Sequence, residues 1–294
     1  MKNISYLFAL LTLFAWSCSD KEVIEPEVPT YEVSFSFAAA QSSLMKSSSI
    51  APTQPSTAAS IFDWVQYLDL YVYDDKGKLI NHFRRWGGIG EMILQSHLKQ
   101  GEYTAVAIGH AGSVLMSGFE KLSTAHLSQF YQEQIYIDKV VFNVGATEAG
   151  EVGMVLERKA GRLEFDITDK PMNRAQFVRV TMNNMASDYS IQANMPKGND
   201  WRRDLMFYVR EGMEHYSDFP AYFFVPYNSA SYKTSILLEV VDGYGVVVKS
   251  QLLQDVTIGI NRKTTIRGKL YDAHPHDFSI DIDDAWSGED IIDF

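Results

Sequence analysis

Residues Tyr67-Leu68-Asp69-Leu70-Tyr71-Val72-Tyr73-Asp74, followed by Asp75-Lys76-Gly77 and then by Lys78 to Trp86, read as a β-hairpin. Leu68, Leu70 and Val72 alternate with Asp69, Tyr71 and Tyr73. A period of two puts the apolar set on one face of a strand. The Asp and Gly residues supply turn chemistry, Gly77 being free to take positive φ. The tyrosines then face outward or toward a second layer.

The same pattern recurs on both sides of this hairpin. Upstream, Val33, Phe35 and Phe37 alternate with polar residues, which predicts a half-buried strand over Tyr31 to Phe37. Downstream, strands are expected at Met92 to Leu98, Tyr103 to Ile108, Lys139 to Val144 and Glu151 to Leu156. Leu122 to Phe130 is the exception: it predicts a short helix with Ser123 or Thr124 as N-cap. After Arg158-Lys159-Ala160-Gly161 the alternation is cleaner. Leu163, Phe165 and Ile167 oppose charged residues, Val178, Val180 and Met182 follow, and Asp242-Gly243 joins Ile236 to Val240 with Tyr244 to Val248. Thr264 to Tyr271 and Phe278 to Ile282 complete the set. Short strands, glycine turns and no long amphipathic helix predict all-β sandwiches. At roughly 150 residues per domain, a chain of this length holds about two. The expected units are residues 31–157 and 158–294.

Apolar residues make 46% of the 294-residue chain, enough for ordinary cores. With 26 basic against 37 acidic residues the formal charge is -11, which argues against a nucleic-acid partner. Eight of those acids, and no Lys or Arg, follow Tyr271. The one cysteine, Cys18, excludes an intrachain disulfide, a cysteine zinc cluster and an iron–sulfur site.

The N-terminus reads as an address. Lys2 precedes an apolar run, Ile4 to Trp16, that is too short to span ~30 Å of hydrocarbon. It ends in Phe14-Ala15-Trp16-Ser17-Cys18, which resembles a bacterial lipoprotein box. Residues 1–17 are thus the expected signal peptide, with Cys18 the lipidation site and palmitate-type acylation holding it to a membrane. Ser19-Asp20-Lys21-Glu22 is similar to the acidic signal that sends lipoproteins of Bacteroidetes to the outer face of the outer membrane. Residues 18–30, with Pro26 and Pro29, read as an extended tether, and Ala40 to Ser60 as a mobile loop. No later stretch is apolar over ~18 residues, so the remainder is expected to be soluble.

No catalytic chemistry is expected. His274-Pro275-His276-Asp277 is the most metal-like run, but it needs a third ligand from elsewhere and reads as a solvated turn. Asp281, Asp283 and Asp284 lack the glycine and closing glutamate of a calcium loop, and Asp74-Asp75-Lys76-Gly77 reads as a hairpin turn. Ser43-Leu44-Met45-Lys46 matches Ser-x-x-Lys without the companion motifs of that class. No cofactor and no metal are expected. Aromatic residues make 13% of the chain, and outward rows such as Tyr67, Tyr71 and Tyr73 suit strand packing first and sugar stacking second.

Taken together, the sequence resembles the FimB/Mfa2-type fimbrial anchor and accessory lipoproteins of Bacteroidetes. The likeness runs through the box at Cys18, Tyr67 to Leu79, Gly101-Glu102-Tyr103-Thr104-Ala105-Val106-Ala107-Ile108-Gly109-His110, Leu156-Glu157-Arg158 into Arg162 to Ile167, and Ile260-Asn261-Arg262 ahead of Thr264 to Leu270. It implies two tandem transthyretin-like (Greek-key) β-sandwich domains. It also implies an outer-membrane location, a role at the base of a fimbrium, and pilin-like partners joined by strand donation. Shaft subunits of this kind are usually cut after an early arginine; here none occurs between Cys18 and Arg84, which favours an anchor. The rival reading is a carbohydrate-binding lipoprotein in which Trp86 or Trp201 stacks on sugar rings.

Overall fold

The computed structural model describes residues 28–40, 65–87, 93–112, 115–128, 134–145, 150–210, 220–272 and 278–283. Cys18, the signal peptide, most of the tether, the Ser43-to-Lys46 motif, His274 to Asp277 and Asp284 lie outside the described residues.

The first half contributes β1 (Thr30–Ala39), β2 (Tyr67–Asp74), β3 (Leu79–Trp86), β4 (Ile93–Lys99), β5 (Gly101–His110), β6 (Leu115–Ser117), β7 (His126–Ser128), β8 (Tyr136–Val144) and β9 (Gly150–Arg158). Seven of these run in the order β3-β2-β5-β8-β9-β1-β4. Among the described residues, the ladder between strands β8 and β9 consists of Tyr136↔Arg158 and Ile137↔Glu157. At that corner the sheet folds over, and its two leaves enclose one core. Val33, Phe35, Val152 and Met154 on one leaf pack with Leu68, Leu70, Val72 and Ala105 on the other. The alternation read from Tyr67 to Asp74 thus decides which face of β2 is inward.

The second half contributes β10 (Ala160–Ile167), β11 (Ala175–Met185), β12 (Asp188–Ser190), β13 (Met195–Lys197), β14 (Trp201–Tyr208), β15 (Ala221–Phe224), β16 (Tyr232–Asp242), β17 (Val247–Ile258), β18 (Lys263–Gly268) and β19 (Phe278–Asp283). Two four-stranded sheets, β15-β10-β18-β19 and β14-β11-β16-β17, face each other. Leu163, Phe165, Val178, Val180, Ile236, Leu238 and Ile266 fill the space between them. The fold is therefore an all-β sandwich architecture in both halves.

Both long hairpins close by the same device. Asp74 Oδ1 accepts the N–H groups of Lys76 and Lys78, with Gly77 at φ 72°. Asp242 Oδ1 accepts those of Tyr244 and Val246. An aspartate that caps its own turn fixes the register of the strands on either side.

The expected helix at Leu122 to Phe130 is absent among the described residues. Turns occupy this stretch up to Thr124, and β7 follows. Thr124 Oγ1 donates back to Gly118 O at 2.7 Å instead of capping forward N–H groups. Strand β7 then pairs with β6 on one side and β12 on the other. That pairing crosses the halves: the sheet β13-β12-β7-β6 takes two strands from each. Long-range pairing thereby overrides local helix propensity.

Beneath this small sheet lies a third core. Tyr71, Tyr73, Val106, Ile108, Phe119, Leu127 and Ile137 of the first half meet Ala186, Tyr189, Ile191 and Phe224 of the second. The outward row of β2 is thus covered by a second layer, with Tyr71 5% and Tyr73 0% exposed.

Candidate functional site

Two places combine chemistry with access. One is the entry strand β1; the other is the outer face of the β2–β3 hairpin.

Strand β1 lies inside its sheet rather than at the rim. It pairs parallel with β9 from Val33↔Gly150 to Ala39↔Leu156 and antiparallel with β4 from Thr30↔Lys99 to Ser36↔Ile93. Val33 and Phe35 are fully buried. The segment that would carry a lipid therefore runs into a core strand with a partner on each side.

On the outer face of the hairpin, Asp69 of β2 is fully buried and accepts four hydrogen bonds. Arg84 donates from Nε to Oδ1 at 2.7 Å and from Nη2 to Oδ2 at 3.0 Å. His82 Nε2 lies 2.8 Å from Oδ1 and His110 Nε2 2.8 Å from Oδ2. Burial alone would raise the Asp69 carboxyl. The bonds from His110, Arg84 and His82, with the Arg84 charge, outweigh it and hold the group at about 2. An ionised Asp69 only accepts, so both imidazoles donate from Nε2. Burial pushes the Tyr71 and Tyr73 phenols well above their ordinary range.

Cross-strand register arranges the rest. Trp86, Arg84 and His82 of β3 stand opposite Tyr67, Asp69 and Tyr71 of β2, and Tyr67 stands opposite His110 of β5. The rings stack across the strands. Trp86 lies on Tyr67 at 5.9 Å between centroids, and Tyr67 on His110 at 5.4 Å. His82 lies on Tyr71 at 4.2 Å with planes 5° apart, and Tyr71 meets Phe119 at 4.4 Å. Both stacks end at β3, the last strand of the sheet, where Trp86 is 71% exposed.

Of the residues singled out from the sequence, Trp86 and Tyr67 enter this cluster at the surface, while Tyr71 and Tyr73 are enclosed by the third core. Trp201 packs partly against the second core, with the Arg203 guanidinium 5.9 Å from its ring. Burial pulls Arg203 down to about 10. Asp281 and Asp283 stand opposite Thr265 and Lys263 in the pairing of β19 with β18. No group of three or more His, Cys, Asp or Glu side chains that could hold a metal ion occurs among the described residues. The Asp69 cluster was not legible as a site, because no motif marks residues that meet only through strand register. The one available signal was a charged residue within an otherwise aromatic and aliphatic strand.

Neither the known family models nor the curated proteins contain a match to this chain. Solved structures do. A candidate adhesin from Bacteroides thetaiotaomicron superposes with a TM-score of 0.56 at 12% identity, over 88% of this chain and 98% of that one. A candidate polysaccharide-binding protein from the same species gives 0.57 at 15% identity, over 86% and 96%. A candidate adhesin from Bacteroides ovatus gives 0.51 at 11% identity, over 77% and 83%. At these identities the likeness establishes a shared fold, one that runs through both halves of the molecule.

Proposed function

We propose that this protein is a surface lipoprotein of a bacterial outer membrane, held by acylated Cys18, that serves as an anchor or assembly subunit of a fimbrium. In this reading it is a scaffold and not an enzyme. The observation that carries it is the placement of β1. A pull between the membrane and the molecule enters along that strand. Its hydrogen bonds to β9 and β4 lie across the strand, so they are loaded together in shear. The absence of arginine between Cys18 and Arg84 supports a strand that stays attached. The shared fold with candidate adhesins of Bacteroides supports a place at the cell surface.

Fimbrial partners join by edge pairing, and β19 is the edge best suited to receive one. Ile280 and Ile282 pair with Ile266 and Thr264, both buried, yet remain 41% and 38% exposed. A strand added beyond β19 would gain main-chain hydrogen bonds and cover these two side chains.

The test is Cys18→Ala in the native cell. Protein and fimbriae should appear in the culture medium, and labelled palmitate should no longer enter the polypeptide. Unchanged retention on the cells would refute the anchor.

A further inference from the structure

The face of β3 that carries His82, Arg84 and Trp86 is built beyond what the fold requires. Alternate residues of a strand stand about 7 Å apart, so the three form a row of about 14 Å. Each is backed in register by a residue of β2, and each still reaches solvent. Trp86 is 71% exposed, and the His82 and Arg84 side chains are 38% and 51% exposed. A buried carboxylate holds the middle of the row. Replacing a whole buried ion pair by well-packed apolar side chains is often neutral or stabilising, so stability alone does not account for an Asp69–Arg84 pair here. What Asp69 adds is fixed geometry: it holds the Arg84 fork and one nitrogen of His82. Arg84 spends Nε and Nη2 on Asp69, which leaves the Nη1 donors for a ligand. His82 gives Nε2 to Asp69, which leaves Nδ1 for a ligand.

We infer that the His82–Arg84–Trp86 row is a carbohydrate-binding ledge that takes a neutral pyranose chain. The open face of Trp86 ends a ring stack that already contains Tyr67 and His110, and the C–H face of a pyranose continues it. Sugar hydroxyls both donate and accept, and the ledge offers two fixed nitrogen sites beside the ring, Arg84 Nη1 and His82 Nδ1. The Arg84 charge is answered by Asp69, so this pair presents no net charge to select an acidic sugar. Arg85 lies opposite Leu68, on the other face of the strand. A peptide strand would read the edge through its backbone and would gain little from rigid polar side chains. This inference goes beyond the anchor reading and does not depend on it.

The test uses the full chain in detergent micelles against immobilised neutral oligosaccharides. One arm carries mammalian glycans and the other carries plant and microbial polysaccharides, so the two sources are separated. At least one neutral glycan should bind, and Trp86→Ala should weaken that binding tenfold or more. Trp86→Phe should retain part of it. Tyr244→Ala, which removes another exposed aromatic at a hairpin tip, should leave it unchanged. Binding that survives Trp86→Ala, or a blank array in both arms, overturns the proposal. So does a blank array together with a protein partner lost on Trp86→Ala, which would assign the row to a peptide. Release from cells reads the anchor and the array reads the ledge, so either can fail alone.

Discussion

Asp69 has no exposed surface, and a carboxylate in that position is costly unless its lone pairs are answered. Four hydrogen bonds from three side chains do so and draw the group from 3.8 down to about 2. The lowered value means that the native state binds fewer protons than the unfolded chain below about pH 4. Stability from this group is therefore complete above pH 4 and is lost as pH falls toward 2. The shift corresponds to about 2 kcal/mol. Asp69→Asn should accordingly cost ~2 to 3 kcal/mol at neutral pH. In urea unfolding, the gap between variant and wild type should narrow from pH 4 to pH 2. A gap that holds constant through that range would contradict the role given to the carboxylate. Alternation placed Asp69 on the outer face of β2 but could not show its burial. That burial comes from the side chains of His82, Arg84 and His110 on the two neighbouring strands, which a period of two within β2 does not report.

Strands were the most legible elements, and the reason is physical. In β11 and β16 one face is the more deeply buried, so apolar residues recur at every second position and register follows; in β2 both faces are buried, and the alternation is of aliphatic with aromatic or acidic side chains. The three-residue strands β6, β7, β12 and β13 are too short to show any period, and what defines them is their partners. The helix expected near Leu122 failed for this reason. Strand β1 showed its pattern clearly, but its interior position depends on a parallel partner far along the chain. If β1 is the loaded strand, its buried rings carry the stability of the first half. Phe35 is fully buried and meets the Phe142 ring edge-on at 5.6 Å. Phe35→Ala should cost ~3 to 5 kcal/mol, whereas Ile93→Ala, on the exposed face of β4, should stay within ~0.5 kcal/mol. Thermal unfolding of the two variants checks this, and similar losses in both would remove β1 from the core.

At the scale of the molecule the two halves are stitched at several places. Arg158 donates from Nε to the Tyr136 hydroxyl at 3.0 Å and from Nη1 to Asn261 Oδ1 at 3.0 Å, which links the end of β9 to the turn before β18. Lys139 Nζ donates to Gln192 O at 2.6 Å. The small sheet adds main-chain pairing between β7 and β12, and the third core buries Tyr71 and Leu127 of the first half with Tyr189 and Phe224 of the second. This shared layer was invisible in the sequence, because each half alone reads as a complete sandwich. Its consequence is cooperative: opening one half exposes Tyr71 and Tyr73 of the other, so neither melts without destabilising its neighbour. Calorimetry should show one unfolding transition. Tyr189 is fully buried within the third core and belongs to neither sandwich core. Tyr189→Ala should therefore lower the cohesion of the halves more than the stability of either, and split the transition into two. Two separate transitions in the unmodified protein would mean that the small sheet merely rests between independent sandwiches. A single transition retained by Tyr189→Ala, merely shifted to lower temperature, would place the coupling in the Arg158 network instead.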